Sequence, residues 1–421
     1  MFKSRKNVIF IISAILLSLL LAACGGNNND DNSAGNEEGE TIELNVWGMG
    51  EEAKSLPDIA KEFEAENPDI KINVQAIPWD QAHDKLLTAV ASKSGPDVVQ
   101  MGTTWIPEFA DAGALMDLTP YFEEYPEIDP ANFSEGSVET AKYEDKIVGV
   151  PWYIDTRVLY YRSDLLEEVG YDEAPKTWEE LSDVAQKLSE RGEDMYGISI
   201  DPNEQSLAFM FARQNGSELF DENGQPLFDQ PEFVEAVKYL NSFFENGSSP
   251  IDLGLDITQT FIDDGMVPMF ISGPWMVKLI SDVAPELDGK WATAVFPSGS
   301  VSNQSILGGS NLSVFEYSEH KEAALKFLAY MSKPETQINW MELTNSLPAA
   351  NEAWEHESLV NDELYNTFGE QLQTARSMPT IPEFERIAQT FLSSFERMYR
   401  GQVEVEEELQ SFNEQVKNIL D

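Results

Sequence analysis

One cysteine, Cys24, occurs in the whole chain of 421 residues. An intrachain disulfide is therefore impossible, and apolar burial must hold the fold together. Hydrophobic residues make up 42% of the chain and aromatic residues 11%, which suits a substantial core. The length is large for one core, so a division into two domains is expected.

The position of Cys24 carries a second message. Lys3, Arg5 and Lys6 precede an apolar run from Val8 to Leu21, which ends in Leu21-Ala22-Ala23-Cys24. A charged start, a short apolar middle and small residues before a cleavage point make a secretory signal peptide over residues 1–23. The run is short for a membrane span, which needs about 20 residues. Leu-Ala-Ala-Cys resembles a bacterial lipobox. It implies that Cys24 is lipidated and that the mature protein is held by acyl chains on the extracytoplasmic face of the cell membrane. Residues Gly25 to Glu40 are Gly, Asn, Asp, Ser, Ala and Glu only. Such a segment has no apolar face to bury, so residues 24–40 read as a disordered tether. Its reach would be about 20 Å by chain statistics.

Asp and Glu number 75 against 27 Lys and Arg, a formal charge of -48. Nucleic-acid binding is excluded by that balance, because phosphate contact needs a basic face. The charge keeps a chain soluble and strains it by self-repulsion. A saline habitat that screens the repulsion and an ordinary acidic exported protein both remain open.

Beyond the tether, strand and helix patterns alternate. Ile42, Leu44 and Val46 alternate with Glu43 and Asn45, as in a strand. A helix is predicted from about Glu51 to Asn67, a strand at Ile70 to Ala76 and a helix from Asp80 to Ser92. Asp97 to Met101 reads as a short strand, with a helix starting near Trp105. Val158 to Tyr161, Val267 to Ile271 and Trp291 to Val295 read as further strands. Thr177-Trp178-Glu179-Glu180 has capping-box spacing. Pro231 to Asn246 is helical by period. Ser332 with Pro334 behind it suggests a helix start. Glu383 to Leu420 reads as helices broken near Gly401. This rhythm argues for an α/β body with largely parallel sheets.

No chemistry-bearing motif is apparent. Gly48-x-Gly50 lacks the third glycine of a dinucleotide loop. His83, His320 and His356 have no metal-ligand spacing, so neither a metal nor a cofactor is expected. No G-x-S-x-G elbow exists, and carboxylates are too many to nominate a hydrolytic pair. Aromatics beside turn residues are more telling: Trp47, Trp79, Trp105, Trp152, Tyr153 and Trp275. In open α/β sheets the ligand crevice lies beyond the carboxyl ends of strands. A flat ring there can stack on the C–H face of a sugar while polar neighbours take its hydroxyls.

Several stretches resemble the family-1 extracellular solute-binding proteins of sugar ABC importers, relatives of maltose-binding protein. They are Ile59-Ala-Lys-Glu-Phe to Ile72, Lys85-Leu-Leu-Thr-Ala, Gly95-Pro-Asp-Val-Val, Ala112-Gly-Ala-Leu-Met-Asp-Leu-Thr and Gly149-Val-Pro-Trp-Tyr-Ile-Asp-Thr-Arg. Pro175-Lys-Thr-Trp-Glu-Glu-Leu, Gly273-Pro-Trp, Gly308-Gly-Ser-Asn and Ser377-Met-Pro-Thr-Ile-Pro follow in order. The resemblance implies a two-lobe clamshell in residues 41–421, each lobe a mainly parallel sheet flanked by helices. By analogy the chain crosses between lobes near Pro151–Asp155, Phe296–Ser298 and Leu343–Pro348. Lobe 1 would hold about 41–151 and 298–343, lobe 2 about 156–296 and 348–421.

The resemblance also implies site residues. Asp155 occupies the place of a sugar-binding carboxylate after the first crossover. Trp275 is the stacking tryptophan of the Gly-Pro-Trp turn. Gly308, Gly309 and Ser310 match a backbone segment lining the cleft, and Arg376 precedes a segment at its mouth. Where the maltose-binding branch carries an acidic-basic pair, this chain has Thr104-Trp105, so maltose is not implied and Trp105 offers another platform. Trp105, Trp152 and Trp275 are expected to stack on rings, with Trp47 and Trp79 as further candidates. Asp155, with Arg157 or Arg376, is expected to bond hydroxyls. The expected function is capture of a saccharide, most simply an oligosaccharide, by a monomer that delivers it to the permease and ATPase subunits of an ABC importer. A secreted carbohydrate-active enzyme, or a binder of a non-sugar solute, stays open as the alternative.

Overall fold

The computed structural model describes residues 41–421 except Glu51, Asp252, Leu255, Asp263, Asp264, Asn361 and Asp362. Cys24, the expected signal peptide and the tether lie outside the described residues. Eleven strands appear in chain order among them: β1 (Ile42–Met49), β2 (Ile70–Ile77), β3 (Val98–Gly102), β4 (Lys142–Tyr143), β5 (Lys146–Ile147) and β6 (Val150–Asp155). They continue with β7 (Val158–Tyr161), β8 (Met269–Ser272), β9 (Ala292–Ala294), β10 (Gly308–Val314) and β11 (Leu347–Pro348).

Two sheets organise two α/β lobes. The first has six strands in the order β11-β6-β10-β3-β1-β2, and the second is β8-β7-β9. Strand direction is mixed rather than mainly parallel. β1 runs parallel to β2 and β3, while β10 and β11 run antiparallel to their neighbours. In the second sheet β7 is antiparallel to both β8 and β9. Sequence periodicity sees strands but not their direction, which depends on where the chain re-enters a sheet.

Both faces of the first sheet are covered, so alternate residues enter different cores. Leu44, Val46, Val98 and Val150 join one apolar cluster with Phe63, Phe327 and Trp340. Met49, Val99 and Met101 join another with Leu86, Trp105 and Phe109. A third cluster fills the second lobe around Leu159, Phe209, Phe233, Phe391 and Phe412. Its closing helices, Phe384–Tyr399 and Val405–Leu420, break at Gly401 as the sequence predicts.

Local signals place several helix starts. Thr177 caps the helix Trp178–Ser189 by accepting from the Glu180 amide at 3.2 Å. The helix expected at Ser332 instead has Lys333 as its cap, with Pro334 as first residue. Ser332 belongs to the preceding helix, Lys321–Ser332, where its hydroxyl bonds the Leu328 carbonyl at 2.8 Å.

The connections between lobes also differ from expectation. The chain leaves the first sheet at Asp155 and enters the second at Val158. Residues 298–306 stay with the second lobe. The Ser298 amide bonds the Lys176 carbonyl at 2.9 Å, Val301 bonds Gln214 at 3.0 Å, and Ile306 bridges to Arg376. The return therefore comes at β10 rather than near Ser298. β11 is still a strand of the first sheet, and the helix Glu363–Leu372 packs on β7 and β9. The third passage therefore lies between Pro348 and Glu363.

Candidate functional site

Register brings the ends of three strands together. Ser310 of β10 stands opposite Gly102 of β3 and Tyr153 of β6, and Gly308 stands opposite Asp155. The carboxyl ends of β3 and β6 therefore meet the start of β10 at one edge of the sheet. Trp105 follows β3 directly, and Arg157 follows β6. This is the edge where an α/β sheet presents its ligand crevice.

Arg157 is the centre of the arrangement. Its Nη1 lies 2.8 Å from Asp155 Oδ1, and its Nη2 lies 2.9 Å from Glu204 Oε2 in the second lobe. Its Nε donates to the same Glu204 oxygen at 3.2 Å. Ser305 locks the backbone, accepting from the Arg157 amide at 3.2 Å and donating to its carbonyl at 2.8 Å. The guanidinium carbon lies 4.8 Å from the Trp275 ring centroid. Ser206 supports Glu204 by donating its hydroxyl to Oε1 at 2.6 Å.

The electrostatics follow from burial. Desolvation pushes the Asp155 carboxyl up; Arg157 opposes the shift and the Glu204 charge adds to it. Glu204 suffers desolvation too, but Arg157 and Ser206 outweigh it and hold its carboxyl below the ordinary range. Desolvation works against the Arg157 charge, and the two carboxylates more than offset it. The three groups behave as one charge-assisted network.

Beneath this layer lies a buried polar cluster. Gln100 Nε2 donates to the Tyr153 and Ser310 hydroxyls, each at 3.0 Å, and Gln100 Oε1 accepts from the Met49 amide at 2.7 Å. Ser310 is thus buried and committed to the floor rather than facing a ligand. Gly309 has φ +118, and a Cβ there would stand 2.2 Å from the Tyr153 carbonyl oxygen. Only glycine fits such a close approach.

The expected aromatics divide sharply. Trp275 and Trp79 are exposed, at 39% and 36%. Trp275 folds its ring back over Gly273, where a Cβ would meet it at 2.0 Å. Trp79 packs edge-on against Trp105 at 5.3 Å, both above Gly102. Trp105 is mostly buried and also meets the His83 ring at 5.5 Å. Thr104 is half-buried beside it.

Trp152 does not serve as a platform. It is 1% exposed, inside β6, with its ring 4.5 Å from that of Trp340. Both faces of β6 are covered, so its position beside Pro151 had no bearing on exposure. Tyr153 is buried too, in the floor cluster. Trp47 lies half-buried with the Lys85 ammonium 4.4 Å above it, against the core below helix Trp79–Ser92. The Arg376 backbone bonds Ser305 and Leu307, but its side chain is exposed and only 3.9 Å from Glu218 at nearest.

Sequence reasoning missed Glu204, Ser305 and Gln100. Glu204 lies in a polar run, Asp201 to Ser206, that reads as any surface turn. Its proximity to Arg157 arises from a contact between residues 47 apart in sequence. Among the described residues no group of three or more His, Cys, Asp or Glu is placed to hold a metal.

The bacterial extracellular solute-binding protein family matches residues 48–338 of this chain. The sugar-binding protein MalE of Xanthomonas citri is 34% identical, with a TM-score of 0.80 over 90% of this chain and 97% of that one. A solute-binding protein of an ABC transporter from Thermotoga lettingae, solved with alpha-D-tagatose, is 27% identical, with a TM-score of 0.83 over 90% and 100% of the two chains. The arabinooligosaccharide-binding protein of Halalkalibacterium halodurans is 27% identical over 80% of this chain and 77% of its own. With a matched segment spanning most of the chain and a two-lobe fold in common, this protein belongs to the bacterial extracellular solute-binding protein family.

Proposed function

We propose that this chain is the extracytoplasmic capture component of an ABC importer and that its solute is a saccharide, in oligosaccharide form. The observation that carries the reading is the Arg157 network. Asp155 at the end of the first sheet and Glu204 of the second lobe share one guanidinium, roofed by an exposed indole, where the chain passes between lobes. Rigid aromatic faces beside charge-assisted acceptors suit sugar rings and their hydroxyls.

In this reading Trp275, Trp79 and Trp105 meet ring faces, and Asp155 takes hydroxyls with Arg157 holding it in place. Ligand contacts from both lobes would favour a closed state by hinge motion, only as far as the ligand prefers that state. Membrane permease and ATPase subunits would then receive the solute. Cys24, as a lipidated residue, would tether the protein to the outer face of the membrane. Trp47 and Arg376 belong to the periphery of the site at most.

Thermal shift and calorimetry against a saccharide panel test this. A cognate oligosaccharide should raise the melting temperature of the parent, and Trp275→Ala and Asp155→Ala should lose at least about tenfold in affinity. Unchanged binding by both variants would remove the assigned site.

A further inference from the structure

The chain leaves the first lobe and returns to it along two segments that lie side by side. Their last paired position in the first sheet sets Asp155 against Gly308. The second sheet begins at Val158, which pairs with Ser272. Between these limits a side chain joins the two segments. The Ser305 hydroxyl accepts from the Arg157 amide at 3.2 Å and donates to the Arg157 carbonyl at 2.8 Å. Ser305 is 1% exposed, and its Oγ also lies 3.7 Å from Met210 Sδ in the second-lobe core. Its backbone is tied to the second lobe as well. The Ser305 carbonyl accepts from the Arg376 amide at 3.0 Å, and the Leu307 amide donates to the Arg376 carbonyl at 2.9 Å.

A strand ladder holds two backbones by successive bonds along their length, so turning one strand strains several rungs together. A serine hydroxyl sits on one rotatable bond, and its proton turns to suit its acceptor. Two segments clipped by such a hydroxyl can turn against each other while both bonds persist. The neighbouring rung is uncluttered: a Cβ on Gly308 would stand 2.5 Å from Asp155 Oδ1, and glycine leaves that space clear. Hinges absorb rotation in a few residues at element ends, and residues 156–157 and 305–307 are such ends. Arg157 turns with the clip. Ser305 holds its amide and carbonyl, while its guanidinium reaches Asp155 of the first sheet and Glu204 of the second lobe.

Resting on the two-lobe capture reading above, we infer that Ser305 is the pin about which the lobes turn and a positioning residue for the Arg157 fork: it sets the lobe angle and, through Arg157, the presentation of Asp155 to the solute.

The test compares the purified parent with Ser305→Ala. Deuterium exchange read by mass spectrometry should be at least about tenfold faster in the peptide spanning residues 154–159 and unchanged in β1 and β2. Small-angle scattering of the unliganded variant should give a larger radius of gyration than the parent, because its lobes are no longer pinned. Affinity for the tightest binder in a panel of maltooligosaccharides and arabinooligosaccharides should fall at least about tenfold. The same substitution in an Arg157→Met background should cost no more than about twofold, since the fork it positions is gone. Unchanged exchange, an unchanged radius, or an equal loss of affinity in both backgrounds overturns the inference. If Ser305→Ala does not fold, Ser305→Cys, close in size but a weaker donor and acceptor, is read by the same measurements. If no saccharide binds the parent, the saccharide reading falls alone, and exchange and scattering still decide the pin.

Discussion

The Arg157 guanidinium carbon sits 4.8 Å from the Trp275 ring centroid, while its nitrogens hold Asp155 and Glu204. One side chain thus joins a carboxylate of the first sheet, a carboxylate of the second lobe and an indole. A lysine keeps the charge but cannot form that fork or stack as a plane. Arg157→Lys should lower stability by about 2 kcal/mol, the scale of one lost charged hydrogen bond. Urea unfolding monitored by tryptophan fluorescence measures it, and an unchanged midpoint would contradict the network.

Trp79 and Trp105 touch edge to face yet should respond differently. Trp105 is 8% exposed, so Trp105→Ala should cost about 3–5 kcal/mol as a cavity. Trp79 is 36% exposed, and Trp79→Ala should cost only about 1 kcal/mol, the value of the ring pair. If Trp79 meets the solute, its loss should appear mainly in affinity. Paired melting curves and saccharide titrations separate the two.

Gly309 should tolerate no side chain. Gly309→Ala must abandon φ +118 or drive its Cβ toward the Tyr153 carbonyl, 2.2 Å away in the native geometry. Strain of about 1–3 kcal/mol is expected before the clash is counted. Since Tyr153 and Ser310 share the floor cluster, the variant should also lose saccharide affinity. A melting temperature equal to the parent would disprove the close approach.

His83 links stability to pH. Burial alone would lower its pKa, but the hydrogen bond to Glu108 and nearby acidic charges more than reverse this and raise it above the ordinary histidine value. A raised folded value makes the protonated pair stabilising below the unfolded pKa, and that contribution fades as pH rises through the folded value. His83→Gln should therefore cost more at pH 5.5 than at pH 8.5, by at most about 1 kcal/mol since both partners keep solvent contact. Melting temperatures of parent and variant across that window decide it. An equal loss at both ends would rule out the ion pair.

Much of the first lobe is legible in the sequence because its strands obey simple alternation. Leu44 and Val46 face one core, and Glu43 and Asn45 between them are polar and exposed at the start of β1. In β6 all six residues are buried, so no alternation marks which of Trp152 and Tyr153 faces outward, and neither does. Trp275 and Trp152 have equally suggestive neighbours. Only Trp275 stands at an exposed helix start, after Pro274, with Gly273 clearing room for its ring.

Glu204 and Ser305 were not legible for a different reason. Each is an ordinary polar residue in an ordinary polar run, and its role depends on which distant residue it meets. Ser305 reaches Arg157 across 148 positions and Arg157 reaches Glu204 across 47.

The chain by itself determined that no internal disulfide forms, that strands and helices alternate, and which short runs mark a two-lobe α/β body. Those outcomes depend on period, turn chemistry and residue count, all local or additive. Tertiary structure alone decided strand direction, the places where the chain passes between lobes, and which acids and indoles share a guanidinium. Burial and pairing are properties of a residue's three-dimensional neighbours, and a linear pattern does not contain them.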